Sequence, residues 1–305
     1  MSLDNPTFAE RLAWRIEALG YDVVAGLLRL APVDAASAFG AAALRTLGPL
    51  TGADRTIRRN LELAFPEKDA AERDRIRIAH WEQFGRFVAE FPMLDRLTPA
   101  SGRVEVVGAE RLAAIAAGGE PTLMISGHFS NFEIMAAVIV AAGVKCQVSY
   151  RPANNPYFND RIIQGRARYG VTSLAPKGSE GAREIMRALS RGESVAMLID
   201  QKFNAGVASP IFGHMAHTSA GPVRLAQRVG GKVTPLAVQR LKGARFRVTI
   251  YEPIVLADTG DREADTVTGV RQLNAFLEER IRERPEEWFW AHKRWPKSMY
   301  KGGRD

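Results

Sequence analysis

The stretch Thr122-Leu123-Met124-Ile125-Ser126-Gly127-His128-Phe129-Ser130-Asn131-Phe132-Glu133 reads as a buried strand, a sharp turn and the opening of a helix. A short apolar run ends on Gly127, the usual punctuation of a strand. Ser130 or Asn131 can cap a helix that continues to Ala142. Working outward, short runs rich in β-branched residues recur at 104–107, 121–126, 144–150, 193–199, 232–240 and 245–251. Helical patterns fill 131–142, 156–168, 179–191, 219–229 and 264–283. Such alternation predicts an α/β fold whose mainly parallel sheet is covered by helices on both faces. Lys242-Gly243-Ala244 between the last two runs predicts a hairpin, so the sheet should be mixed.

Upstream of residue 100 the pattern is helical. Leu12, Ile16, Leu19, Val23, Leu27 and Leu30 recur at three- and four-residue steps on one helix face. Pro32 should end that helix, and Asp34 could cap the next. A further helix is expected over 71–95, with Trp81, Phe84, Phe87, Val88 and Phe91 as its apolar side. The expected organisation is a helical amino-terminal region, 1–100, running into an α/β core, 101–305, as one continuous unit. The apolar face over 12–30 can pack against the domain or lie in the plane of a membrane as an amphipathic anchor. Arg45, Arg55, Arg58 and Arg59 could meet anionic headgroups or form a solvated face. Charges break the run, and nowhere do roughly 18 consecutive apolar residues occur, so no membrane span is expected. Asp4, Glu10 and Arg11 at the start argue against a secretory leader.

Composition narrows the partners. The 305 residues carry a formal charge of +8 and a pI near 9.8. The protein should favour acidic partners: nucleic acid, an anionic membrane face or an acidic protein. No zinc-finger spacing or aromatic RNA-binding strand supports the first. The single cysteine, Cys146, excludes a disulfide within the chain and reads as a small buried hydrophobe. His214 and His217 lie three apart, a spacing that on a helix could bind metal, but no further ligands accompany them. No metal is expected, and without a Walker A or dinucleotide fingerprint no cofactor either.

The chemistry centres on His128 and Glu133. In open α/β sheets ligands bind beyond the carboxyl ends of strands, and His128 stands at such an end. Glu133 follows in the first helical turn, where its carboxylate could reach an imidazole nitrogen. A histidine held by a carboxylate is a general base for deprotonating a hydroxyl that attacks an acyl carbon. No Gly-x-Ser-x-Gly elbow occurs, which weakens a serine-hydrolase reading. Equally, Ser130-x-x-Glu133 matches a capping box, which explains both residues by helix-end hydrogen bonding alone. Arg151, after a strand, could hold phosphate bidentately or form a rim salt bridge. Asp200, at the end of the strand 194–199, could orient an arginine or a sugar, or cap the turn. Thr218 reads as a helix cap.

Gly127-His128-Phe129-Ser130-Asn131-Phe132-Glu133 closely resembles the signature of the lipid A late acyltransferases, a branch of the lysophospholipid acyltransferase superfamily. Ser130 stands where that family often has glycine. Further blocks follow in order: Asn60-Leu61 with Phe65-Pro66; Tyr150-Arg151-Pro152 with Asn154-Asn155-Pro156; Arg166 and Arg168; Asp200-Gln201; Phe212-Gly213, Thr218 and Pro235; and Pro285 through Trp288, Trp290, His292, Arg294 and Trp295. The resemblance spans roughly 10–297. It implies catalysis by His128 and Glu133, with Glu133 orienting His128, and contacts to the substrates through Arg151, Asn155, Arg166, Asp200 and Gln201. It also implies an acyl-acyl carrier protein donor, a phosphorylated glycolipid acceptor and a place at the cytoplasmic face of the inner membrane. The competing expectations are another acceptor, whether glycolipid, lyso-aminolipid or glycerophospholipid, and a non-catalytic binding module on the same fold. Many relatives begin with a clear membrane-spanning helix; here charge breaks its equivalent, which favours an in-plane anchor.

Overall fold

A computed structural model describes residues 6–118 and 120–300; Asp4 of the amino-terminal reading lies outside them. Four helices come first: α1 (Phe8–Leu30), α2 (Val33–Leu47), α3 (Ala53–Ala64) and α4 (Ala70–Glu90). A 3-10 segment, Phe91–Arg96, leads into the alternating part. That part runs β1 (Val104–Val107), α5 (Ala109–Ala116), β2 (Leu123–Ser126), α6 (Glu133–Ala141), β3 (Cys146–Tyr150), α7 (Pro156–Ala167), β4 (Leu174–Pro176), α8 (Ser179–Ser190) and β5 (Ser194–Leu198). It continues with β6 (Val207–Ile211), β7 (His214–Thr218), α9 (Gly221–Ala226), β8 (Lys232–Arg240), β9 (Phe246–Ile250), β10 (Ile254–Val255) and α10 (Arg262–Glu283).

The sheet order is β1-β9-β8-β2-β5-β3-β4, with β10 pairing β8. Every pair is parallel except β8–β9 and β8–β10, so the sheet is mixed and mainly parallel, as the alternation predicts. The hairpin over Lys242-Gly243-Ala244 is present, with Arg240 opposite Phe246. The parallel register places Ser126 beside Leu198. The chain segments leaving β2 and β5 therefore start side by side.

Several local expectations are corrected. Pro32 does separate α1 from α2 and stands itself at the α2 N-cap position; Asp34 caps nothing, because its carboxylate accepts from the Ala244 backbone N–H, 2.8 Å, and pairs with Arg103. Thr218 ends β7, where its hydroxyl bonds Asn274 and Arg294 instead of starting α9. His214 and His217 lie on that same strand, where an odd spacing turns side chains to opposite faces. The β6–β7 hairpin was not foreseen: Pro210 within β6 argues against a strand, yet this two-stranded sheet has no central position to disrupt. Its two-residue turn, Phe212-Gly213, has positive φ at both positions, the geometry that matches strand twist.

Trp288, Trp290 and Trp295 are fully buried and belong to the core. Asn60 on α3 bonds the carbonyls of Trp290 and His292 and accepts from Tyr300, tying the amino-terminal helices to the carboxy-terminal segment. Cys146 is buried on β3, and burial pushes its thiol up to about 12, so it stays protonated.

Helix α1 has two apolar stripes. Trp14, Ala18, Tyr21, Ala25 and Leu28 are partly or fully covered, with Tyr21 edge-on to Phe158 of α7. The other stripe, Leu12, Ile16, Leu19, Val23, Leu27 and Leu30, is wholly exposed, between 48% and 84%. Packing against the domain therefore uses the stripe that the pattern did not single out. Among the described residues no helix is long and apolar enough to cross a membrane.

Candidate active site

Two residues beyond β2 stands His128, and two residues beyond β5 stands Asp200. Their side chains meet: His128 Nδ1 lies 2.7 Å from Asp200 Oδ1. The backbone N–H of His128 donates to Asp200 Oδ2 at 2.8 Å, and the Trp288 indole N–H donates to the same oxygen at 2.7 Å. Asp200 is fully buried. Burial works against its charge, but the neighbouring imidazole and these donors hold the carboxyl far below the usual range. For His128 burial opposes protonation, and the charge and hydrogen bond of Asp200, aided by Glu133 through space, outweigh it; the net direction is up. A carboxylate on Nδ1 selects the tautomer protonated there and leaves Nε2 as the basic nitrogen.

Glu133 is placed differently from the expectation. It begins α6, and both carboxylate oxygens face Arg166 of α7, at 2.9 Å from Nε and 2.6 Å from Nη2. The Tyr169 hydroxyl adds a third bond, 3.1 Å. Among the described residues no hydrogen bond joins Glu133 to His128. The physical reason is competition: a guanidinium offers two parallel charge-assisted bonds, while β5 delivers Asp200 to His128 in register. Nor is there a capping box, since no side chain caps α6. Ser130 adopts φ 46°, a conformation that glycine takes without strain, and its hydroxyl is buried with no hydrogen-bond partner among the described residues.

The loop is braced from two sides. The Ser130 N–H donates to the Glu287 carbonyl at 2.7 Å, and the Phe289 N–H to the His128 carbonyl at 3.1 Å. Asn131 donates to Glu90, which forms a buried bidentate pair with Arg240. In front of His128 lies a cleft of about 130 Å³ lined by Phe84, Phe87, Phe132, Phe289, His80 and Glu287, with Gln201 at its edge. Burial lowers His80 to about 4 and raises Glu287 to about 7. A narrow cavity of about 70 Å³ shares Phe132 with this cleft and runs between the sheet and α6. Met124, Ala196, Leu198, Leu236, Met135 and Ile139 line it, and Glu133 and Arg166 form its polar end.

Of the other expected residues, Arg151 is exposed and makes no hydrogen bond or ion pair among the described residues. Asn155 caps α7, accepting from the Tyr157 and Phe158 N–H groups, and its amide reaches the Trp14 carbonyl and Glu17, so it docks α1 on α7. Arg45 and Arg58 pair with Glu82 and Asp54. Sequence reasoning missed Tyr169 as a partner of Glu133, the Trp288 indole as a donor to Asp200, and the convergence of the aromatic rings on His128. The only signal for Asp200 as the partner of His128 was the matching position of each beyond its strand.

The sequence model described as bacterial lipid A biosynthesis acyltransferase matches residues 8–297. The chain belongs to that family. This acyltransferase is 28% identical to the lipid A biosynthesis lauroyltransferase of Escherichia coli K12 over 78% of the chain and 77% of that protein. It is 25% identical to the palmitoleoyltransferase of the same organism, over 78% and 76%. It is 27% identical to a lipid A biosynthesis acyltransferase of Haemophilus influenzae, over 78% and 75%.

In this acyltransferase Glu133→Gln separates two roles. Replacing the carboxylate strands the mostly buried Arg166 side chain, and breaking such a pair costs up to about 3–5 kcal/mol. Loss of a helix cap would cost about 1 kcal/mol. Thermal denaturation should therefore show a large drop in midpoint, and Glu133→Gln/Arg166→Met should recover part of it. A drop no larger than a lost cap refutes the ion-pair assignment.

Proposed function

We propose that this acyltransferase moves a fatty acyl chain from an acyl carrier protein thioester to a hydroxyl of a lipid A precursor of the Kdo-lipid IVA kind, with His128 as general base. The observation that carries the reading is the His128–Asp200 contact beside an apolar cavity, in a chain of this family. Nε2 takes the proton of the acceptor hydroxyl as its oxygen attacks the thioester carbon. The C–O bond forms, the C–S bond breaks, and the imidazolium returns the proton to the leaving thiolate. Asp200 is the positioning residue that orients His128 and balances its charge. Glu133 adds negative potential at His128 and holds Arg166. The apolar cavity between the sheet and α6 suits an alkyl chain, which needs shape and no hydrogen bonds. Arg151 and Gln201, exposed beyond β3 and β5, would meet the acceptor on this reading, and the excess of basic groups suits a strongly acidic carrier protein.

The direct test is incubation with carrier proteins bearing different acyl chains and a lipid A precursor, followed by mass spectrometry of the lipid. One added acyl mass on the glycolipid is expected. Transfer to a lysophospholipid and not to the glycolipid rejects the acceptor, and no turnover with any donor favours a binding module.

The exposed stripe of α1, with Phe39, Leu47 and Leu50 also exposed on α2 and just after it, supports in-plane anchoring at the cytoplasmic face of the inner membrane. Each apolar side chain withdrawn from water contributes about 1.5–3 kcal/mol. Leu19→Glu/Val23→Glu/Leu27→Glu should abolish co-sedimentation with anionic vesicles and leave the melting midpoint unchanged, because these side chains touch no core. Equal vesicle binding by this variant rejects the anchor.

A further inference from the structure

Behind Arg166 lies a third cavity, between α1, the Phe91–Arg96 segment and α7. At about 280 Å³ it exceeds both cavities near His128. Four arginines line it, Arg29, Arg161, Arg166 and Arg168, against two carboxylates, Asp22 and Asp95. Arg29 grips Asp95 through two bonds of 2.8 Å, and Arg161 grips Asp22, so both guanidinium groups are held in place. The Arg168 side chain is exposed, and its guanidinium takes part in no hydrogen bond or ion pair among the described residues. Arg166 spends Nε and Nη2 on Glu133, while its Nη1 is buried without a partner. With Asp95, Asp22 and Glu133 balancing Arg29, Arg161 and Arg166, the Arg168 guanidinium is left in excess, and it and Arg166 Nη1 are unspent donors in a concave place, where an anion with several acceptor oxygens is favoured.

Two further observations give the anion its class. Gly26 of α1 and Gly165 of α7 both line the cavity, and a Cβ on either would meet no atom within 4 Å, so neither helix fills the space. Asp22, Gly26 and Arg29 also follow one another at helical spacing on the flank of α1, between its packed stripe and its exposed apolar stripe. A group bound there sits where apolar surface gives way to water, the level at which lipid phosphates lie.

The geometry points to this cavity as a binding site for the phosphate group of a lipid. On the proposed function, on which this assignment of the lipid rests, that lipid is the acceptor, and Arg166 links its phosphate to the reacting end through Glu133. A membrane phospholipid offers the same chemistry.

The test uses the full-length protein, Arg168→Gln, Gly165→Glu and, as a charge control, Arg271→Gln on the exposed side of α10. The first removes the uncommitted guanidinium; the second carries a carboxylate into open space, so the fold is kept. Rates are measured with a phosphorylated acceptor and with its dephosphorylated form. Both cavity variants should raise KM for the phosphorylated acceptor about tenfold, the worth of one charge-assisted contact. The dephosphorylated acceptor and the Arg271→Gln control should show no change. In a second arm, binding is compared between vesicles containing phosphatidylglycerol and vesicles of an uncharged glycolipid. Loss of the phosphatidylglycerol preference with acceptor KM unchanged identifies the phosphate as that of a bilayer phospholipid. Cavity variants indistinguishable from wild type in both arms overturn the site. If the wild type acylates neither acceptor, the acyl-transfer reading fails, while the vesicle arm still decides the cavity.

Discussion

His128→Ala should lower the rate of acyl transfer by about 10²–10⁴-fold with little change in melting temperature. The ring meets Phe132 edge-on, with centroids 4.8 Å apart, and lines the cleft beyond the end of β2, so its removal enlarges the cleft and leaves the sheet intact. Asp200 shifts His128 upward from the ordinary histidine value, so its basic form is reached at higher pH than in a free histidine. The rate should therefore rise with pH along an acidic limb displaced upward from that value. Single-turnover measurement with a labelled carrier-bound acyl chain isolates the chemical step. A variant that keeps the wild-type single-turnover rate removes His128 from the mechanism.

For Asp200→Asn the expected loss is of similar or larger size, about 10⁴-fold where an amide replaces the carboxylate behind a catalytic histidine. The amide has one acceptor oxygen for three donors: the imidazole, the His128 N–H and the Trp288 indole. It can also present N–H to Nδ1 and stabilise the wrong tautomer. The readout that separates positioning from mere structure is the pH profile. Losing the charge lowers the His128 pKa, so the acidic limb of residual kcat/KM should move to lower pH. Since the two residues act as a unit, His128→Ala/Asp200→Asn should be hardly slower than His128→Ala. An unmoved limb, or fully multiplicative losses, would show that Asp200 only braces the loop.

Much of this was legible along the chain because it is local. The run from Thr122 to Ser126, the break at Gly127 and the apolar period after Phe132 specify strand, turn and helix without any distant partner. The alternation that follows implies a mainly parallel sheet with sites beyond its carboxyl ends, and the ordered motifs from Asn60 to Trp295 mark the family. His128 was visible as a residue at such an end.

What pairs with His128 was not legible. Glu133 is five positions away in the chain and Asp200 is 72, so proximity in sequence favoured the wrong carboxylate. Strand order decided the matter: β5 lies beside β2, and the register brings Asp200 level with the histidine. Glu133 was captured by Arg166 from a helix whose position depends on β3 pairing β5. The same limit applied to α1. A period of 3.6 identifies faces but not what covers them, and this helix has two apolar stripes. Only the docking of Trp14, Ala18 and Tyr21 against neighbouring elements left Leu12, Ile16, Leu19, Val23 and Leu27 to the outside. Local periodicity, in short range, sets which elements form; the pairing of charges and the choice of buried face are long-range, and they follow from which elements become neighbours in space.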